Sequence, residues 1–400
     1  MQLWNRTAAV VLGLALAAAP ARADDEDTVR ALNALKAVTK EGKGNEDAGP
    51  AWKTLVSKGG AALLPTLAAF SDDNATVTNW LRTAVDAIAE NEKAAGRKLP
   101  AGALEAFAKD PKNAATARHA AYELLVAQAP EARARLLPGF LNDKSPDLRR
   151  AAVANQLEIV EKLAKPTIRA DLEKLFTFAR DKDQVDLLAK KITESGGQVS
   201  VSEHFGFVTH AALVGPFDST GGKGFATSYP PENAKDATGK FPGKGGPEVK
   251  WVPADTKDKY GTFDLNKLLG KHKDAVAYAQ AVIVADAETP CEIRVTSITA
   301  VQIFLNGKLL FAREEYHHGA PFDAHVGKGT LQKGDNVIVL KVCQNNQTEQ
   351  WAQNWQFQMR VCDATGGPLP LKQKVLVDGK EQTIRLGFVP ETADKKEEKK

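Results

Sequence analysis

The feature that most constrains this chain is a change of period at Gly196-Gly197. Before that dipeptide, apolar residues recur three and four apart, as in Leu81, Val85 and Ile88. Beyond Phe205 the pattern alternates, with β-branched and aromatic residues in short runs broken by Gly, Pro and Asn. The first period buries one stripe of a helix and the second buries one face of a strand. With 400 residues there is room for two domains and tails. The expectation is a multidomain α and β chain: all-α over 24–198, an antiparallel β-sandwich or jelly roll over 199–365, a hairpin extension over 366–390 and a charged tail over 391–400.

Within the helical stretch a unit repeats. Leu63–Leu67 leads through Ser71-Asp72-Asp73 to a helix over Val77–Glu90. Leu104–Phe107 leads through Lys109-Asp110-Pro111 to Ala114–Ala127, and Leu136–Leu141 through Asn142–Arg150 to Ala151–Leu163. Leu172–Phe178 leads through Arg180–Asp183 to Val185–Thr193, and Asn91–Pro100 reads as an insertion loop. The turn aspartates Asp72, Asp110, Asp143 and Asp181 lie 33 to 38 residues apart, a period of paired-helix solenoids. At each corner a short polar side chain can cap exposed backbone N–H groups. The third unit, with Asp143, Pro146-Asp147-Leu148-Arg149-Arg150 and Ala151-Ala152, resembles a HEAT-type repeat. That resemblance implies a scaffold offering a surface to a protein partner.

The first residues bear on compartment. One charge at Arg6, an apolar run from Thr7 to Ala19 and the small-x-small triplet Ala21-Arg22-Ala23 form a signal-peptide pattern over residues 1–23. The run is shorter than the roughly 20 residues a spanning helix needs. Export to the periplasm or the extracellular space is expected, with no membrane span. Removing Arg6 and Arg22 takes the net charge from +3 to +1, which gives no electrostatic reason to expect a nucleic-acid partner. Three cysteines, Cys291, Cys343 and Cys362, are too few and too odd in number for a disulfide-built scaffold. They sit in strand-like apolar runs as buried thiols, with one intradomain disulfide left open.

Candidate strands are Val208–Val214, Tyr278–Ala285, Cys291–Ser297, Val301–Leu305, Lys308–Phe311, Val337–Val342 and Trp355–Val361. Asn306-Gly307 is a two-residue hairpin signal, because both residues accept positive φ. Ile303 and Leu305 then share one face, with Gln302 and Phe304 on the other. Val337 and Val339 are read as the core face of their strand. Residues 218–250 form a long Gly-, Pro- and Lys-rich loop, a length usually functional or mobile. Lys374–Val377, Asp378-Gly379 and Thr383–Phe388 suggest a terminal hairpin.

Leu213–Asp218, Gly224-Phe225, Tyr229–Glu232, Val301–Lys308, Leu331–Val342 and Trp355–Val361 together resemble the galactose-binding-like modules of exported bacterial proteins, over roughly 205–363. The resemblance implies a carbohydrate-binding-module-like sandwich whose ligand is carbohydrate, such as a cell-envelope glycan. Where such modules often carry Asp-Asp-Gly, this chain has Ser297-Ile298-Thr299-Ala300, with no carboxylate.

Sugar sites set aromatic faces beside amides, carboxylates and imidazoles. Trp351 and Trp355 lie near Asn345, Asn346 and Gln353, while Tyr316, His317, His318 and Asp323 form a second polar-aromatic loop. These nine are the candidate ligand-binding residues. No cofactor is implied. The His317, His318, His325 and Asp323 group lacks a diagnostic metal spacing, and Asp218 and Asp323 alone do not specify a calcium cage, so a structural calcium stays open. No nucleophile elbow, phosphate loop, zinc-protease helix or Cys-x-x-Cys occurs. The function expected is therefore non-catalytic binding of a polar ligand. The alternative is a structural or protein-interaction chain whose sandwich has lost its ligand, and a hydrolase ranks below both.

Overall fold

The computed structural model describes residues 26–163, 165–377 and 379–387. The expected signal peptide and charged tail lie outside them. Helix accounts for 40% and strand for 25%, with the strands antiparallel, so the chain is a mixed α and β protein of more than one unit. No helix among the described residues is long and apolar enough to cross a membrane. The chain divides between Ala132 and Arg133 into two compact units.

The first unit holds α1 (Glu26–Lys36), α2 (Asn45–Lys58), α3 (Gly60–Ala68), α4 (Ala75–Ala94), α5 (Ala101–Lys109) and α6 (Ala115–Gln128). In sequence order α1 packs on α2, α3 on α4 and α5 on α6. The three- and four-residue spacing buries Leu55, Leu63, Leu67, Leu81, Val85, Ile88 and Leu104 completely. Asp72 caps no helix of its own pair. Its carboxylate accepts from the backbone N–H groups of Ala115 (2.7 Å) and Thr116 (3.1 Å), so it closes the start of α6, 43 residues on. Helix α4 runs on to Ala94, through the first residues of the expected insertion loop. The reason is polar: Glu92, buried in the last turn, receives Gly60 N–H at 3.0 Å and Arg97 Nε at 2.6 Å.

The second unit opens with α7 (Ala132–Leu136), α8 (Pro146–Val160), α9 (Lys165–Phe176), α10 (Lys182–Glu194) and α11 (Val201–Phe205). Ser145 caps α8 by accepting Leu148 N–H, and Arg150 forks onto Asp183 of α10 at 2.7 and 2.5 Å. The strands follow: β1 (His210–Asp218), β2 (Lys240–Pro242), β3 (Glu248–Lys250), β4 (Val252–Asp255), β5 (Phe263–Asp264), then α12 (Leu265–Leu268), β6 (Ala275–Ala285), β7 (Thr289–Thr296), β8 (Val301–Leu305), β9 (Lys308–Arg313), β10 (His325–Leu331), β11 (Gly334–Gln344), β12 (Gln356–Cys362), β13 (Lys372–Val377) and β14 (Lys380–Arg385).

Of the helices that precede the strands, the last, α11, ends at Phe205 and β1 begins at His210, past the boundary expected at residue 198, and the compact units part earlier, between Ala132 and Arg133. Helices α8 to α10 share an apolar core with the start of the β region: Val153, Leu172, Phe176, Val185, Leu188 and Ile192 cluster with Phe205, Phe207 and Tyr260. Aromatic residues just past the switch supply the surface that the last helices bury.

Eight strands form one sheet, in the order β14-β13-β6-β11-β8-β9, with β1 also on β6 and β4 on β1. Four form a second, β10-β7-β12-β5. Ile293 and Val295 of β7, Phe357, Met359 and Val361 of β12, Ile303 and Leu305 of β8, and Ile338, Leu340 and Val342 of β11 meet in one core between the sheets. Alternation within β8 is as the sequence implied, with Phe304 in a different cluster. In β11 the sequence assignment is reversed: Ile338, Leu340 and Val342 face the shared core, and Val339 faces away. The expected terminal hairpin forms as β13 and β14, with its turn residue Asp378 outside the described residues. It is no separate extension, because β13 pairs with β6 and Leu371 and Leu386 enter the core.

The outer face of the large sheet is apolar because the long 218–250 segment lies over it as a strap. Phe217, Tyr278, Phe304, Val339 and Trp251 pack there with Phe225, Tyr229 and Phe241. Lys341, only 1% exposed, pins the strap: its ammonium donates to Phe225 O (2.9 Å), Thr227 O (2.7 Å) and Glu232 Oε1 (2.8 Å). Tyr278 Oη also donates to Glu232. All three lysine protons are used, so the buried charge is compensated.

The outer face of the small sheet carries a second buried cation. Arg360, 1% exposed, donates from Nε and Nη2 to Asp323 (2.8 and 2.5 Å) and from Nη1 to Phe205 O (3.1 Å) and Gly366 O (3.0 Å). Its guanidinium stands 5.3 Å from the Phe205 ring and 5.2 Å from that of Phe322. Arg294 reaches the same Asp323 carboxylate at 2.9 Å. The three cysteines are buried free thiols, each pushed up by burial. Cys362 lies opposite Glu292 in the β12–β7 register, so alternation puts it on the face away from Cys291.

A fragment starting at residue 199 strips the shared helical core from Phe205 and Phe207. It should aggregate or bind hydrophobic dye, whereas one starting at residue 133 should unfold cooperatively in urea; equal behaviour would refute the shared core. His204 supplies a pH test. Burial pushes its pKa down to about 4, with Ala179 O holding Nε2 at 2.7 Å. Between about 6.5 and about 4 the unfolded chain takes up a proton that the folded chain refuses. Stability should be full above that window and fall by up to about 3 kcal/mol across it. His204→Gln should flatten that slope in urea melts run at several pH values.

Candidate functional site

Strand register gathers three loops at one end of the sheets. Arg313 ends β9 opposite Val301, Val342 lies opposite Val301, and Gln344 lies opposite Ala275. The segments 314–324, 345–355 and 271–274 therefore leave the sheets side by side.

Tyr316, His317, Asn345 and Trp351 come together there. His317 takes a positive φ of 56°, and its backbone N–H donates to Ile298 O at 2.5 Å. Its Nε2 lies 2.8 Å from Asn345 Oδ1. Since an amide oxygen only accepts, that nitrogen carries the proton. The imidazole meets the Trp351 indole edge to face at 5.6 Å and the Tyr316 ring at 6.5 Å. Trp351 is 59% exposed, unusual for the largest amphipathic side chain. Its turn is firmly built: Gln353 Nε2 donates to Thr348 O (2.6 Å) and Glu349 O (3.0 Å), and Lys273 Nζ donates to Ala352 O at 2.7 Å. The indole is held out to solvent by a fixed turn.

Among the buried polar atoms of these segments without a hydrogen-bond partner are Tyr316 Oη and His317 Nδ1. Burial raises the Tyr316 pKa, so the phenol stays a donor at neutral pH. Sequence reasoning did not single out Lys273 and Asp274. Asp274 (φ 46°) donates its N–H to Asn345 O at 3.0 Å, and its own carbonyl accepts from Ser219 N–H at 2.8 Å. Only a left-handed residue before β6 makes that junction, and no motif marks it. In the carboxylate-free Ser297-Ile298-Thr299-Ala300 segment, Ser297 and Thr299 pair through their hydroxyls at 3.2 Å, both buried.

The remaining candidates lie elsewhere or do other work. Trp355 is fully buried in the core between the sheets, because alternation from Phe357 points it inward. Gln353 is occupied by its own turn, and Asn346 is exposed. His318 meets the ring of His325 at 5.7 Å. Asp323 is consumed by Arg360 and Arg294. Burial works against its charge, but those two guanidiniums outweigh it and hold the carboxyl below the usual range. Three of its roughly four lone-pair sites are taken by these guanidinium donors. A depression of ≈ 290 Å³ on the outer face of the small sheet is lined by Gln356, Gln358, Thr262, Thr296, Phe322 and Lys182 among others, and by none of the nine candidates.

No family model matches the chain, and no curated protein does. Among the solved structures that match are an anti-sigma factor domain-containing protein from Clostridium clariflavum and a GH31 alpha-xylosidase from Xanthomonas citri. The first is 13% identical over 44% of this chain and 45% of that one, with a TM-score of 0.19. The second is 11% identical over 38% of this chain and 17% of that one, also at 0.19. The chain thus spans less than half the length of either. Superpositions this loose carry nothing about its activity.

The two tryptophans make opposite predictions. Trp351→Ala should change stability by less than about 0.5 kcal/mol, whereas Trp355→Ala should cost about 3–5 kcal/mol. Urea melts of both variants check this, and a large loss from Trp351→Ala would show its ring to be packed.

Proposed function

We propose that this chain is an exported, non-catalytic binding protein in which HEAT-like helical repeats carry a galactose-binding-like β-sandwich. The ligand is a carbohydrate or a similar polar ring, taken at the loop end by Trp351, His317, Asn345 and Tyr316. The observation that carries this reading is the 59% exposed indole of Trp351, backed by an imidazole and an amide that are themselves hydrogen-bonded. An exposed aromatic face suits the apolar side of a sugar ring, and the neighbouring donors and acceptors suit its hydroxyls. Two facing antiparallel sheets with a common core support the sandwich assignment, and successive helix pairs with cross-pair caps support the repeat assignment. Export rests on the apolar leader read from the sequence. Non-catalysis rests on the missing sequence motifs.

A second reading, a protein-interaction chain, draws on the exposed Ile159 near the end of α8 and Leu163 in the turn after it, at 44% and 43%. Glycan arrays probed with the full chain separate the two. The proposal expects retention on a defined glycan class, reduced about tenfold or more by Trp351→Ala, since an anchoring aromatic is worth about 2 kcal/mol. A blank array, or retention indifferent to Trp351→Ala, would contradict it.

A further inference from the structure

The depression on the outer face of the small sheet is built by strand register. Phe357 lies opposite Phe263 of β5, and Gln358 lies opposite Thr296 of β7. Alternation therefore sets Thr262, Gln358 and Thr296 side by side on the face away from the core, with Gln356 and Ile298 in the next row. Phe322 and Lys182, the first residue of α10, also line the ≈ 290 Å³ space. That volume suits one small molecule or the end of a chain.

The polar groups on this face are held in place. Gln358 Nε2 donates to Thr262 Oγ1 at 2.9 Å. Thr296 Oγ1 accepts from Asp323 N–H at 3.1 Å, which leaves its own proton to donate. The lining holds one ammonium, that of Lys182, and no carboxylate. Carboxylates around it are committed elsewhere. Asp186 accepts from Lys259 Nζ (2.8 Å), Lys182 Nζ (3.2 Å) and Tyr260 Oη. Asp258 accepts from Thr262 Oγ1 at 2.7 Å, Asp264 faces Lys267 Nζ at 3.3 Å, and Asp323 is held by Arg360 and Arg294. Lys182 spends one of its three protons on Asp186, and its side chain is 47% exposed. The Phe322 ring is engaged by Phe205, Phe207, Tyr260 and the Arg360 guanidinium. It therefore lacks the open face that Trp351 presents at the loop end.

We propose that this depression binds the C-terminal end of a short extended peptide, its free carboxylate on Lys182 and its amides on Gln356, Gln358 and Thr296. A glutamine amide carries one carbonyl acceptor and N–H donors, the complement of a peptide group. Gln356 and Gln358 sit two residues apart on one strand, roughly 6.8 Å, which is also the repeat of alternate residues in an extended peptide. Ile298 and the edge of Phe322 give the last side chain a small apolar wall. The site is separate from the carbohydrate reading of the loop end and does not rest on it.

The test uses the full chain and two probes that differ only in charge, N-acetyl-dialanine with a free carboxylate and its C-terminal amide, followed by saturation-transfer NMR. The acid is expected to bind about threefold or more tighter than the amide at low salt, the scale of an exposed ion pair. That preference should shrink as salt is added. Lys182→Met should abolish the preference, and Gln358→Leu should weaken both probes; unchanged urea midpoints show that these variants are folded. Trp351→Ala should leave both probes bound as before. No binding by the parent chain, equal binding of acid and amide, or a preference that survives Lys182→Met would overturn the proposal. So would loss on Trp351→Ala with indifference to Lys182→Met and Gln358→Leu, which would move the peptide to the loop end.

Discussion

Arg360 is the charge around which the second unit is assembled. A guanidinium at 1% exposure is tolerable only if its donors are met and its charge is matched. Here its partners come from four places: Asp323 before β10, Phe205 at the end of α11, Gly366 after β12, and the rings of Phe205 and Phe322. Moving any of these leaves a buried cation unpaired. Helical segment, sheet and two loops therefore hold one arrangement, and the apolar core that α8 to α10 share with Phe205, Phe207 and Tyr260 joins those helices to it.

Lys341 plays the same part on the opposite outer face. Strand β11 is buried on both sides, one by the core between the sheets and the other by the 218–250 strap. A solvated sheet face would carry an exposed lysine; a strap turns that position into a buried anchor bonded to Phe225, Thr227 and Glu232. The strap thus covers the outer face of the large sheet, while the outer face of the small sheet keeps the depression lined by Gln356, Gln358, Thr262 and Thr296.

Much of this was legible from local pattern. Period alone separated helices from strands, the Asn306-Gly307 turn fixed the β8–β9 hairpin, and alternation set Ile303 against Phe304. Where the reading failed, long-range coverage was the cause. The core face of β11 was misassigned because Val337 and Val339 are as apolar as Ile338 and Leu340, and only the strap distinguishes them. Asp323 looked like a loop carboxylate free for a ligand, because its two arginines lie 29 and 37 residues away. Trp355 and Trp351, four residues apart, could not be told from each other until the start of β12 set which one points inward. Within the site, Trp351, Asn345, Tyr316 and His317 were legible as residue types in loops; the Asp274 and Lys273 supports were not, since a left-handed junction leaves no motif.

The central claim is that a polar-ring ligand engages the 314–318 and 345–353 loops. Hydrogen–deuterium exchange on the full chain, with and without a saturating mixture of cell-envelope oligosaccharides, reads this segment by segment. The account predicts slowed exchange confined to those two loops and the 271–274 junction. Protection on the helices or on the outer face of the small sheet instead, or no protection anywhere, would contradict it.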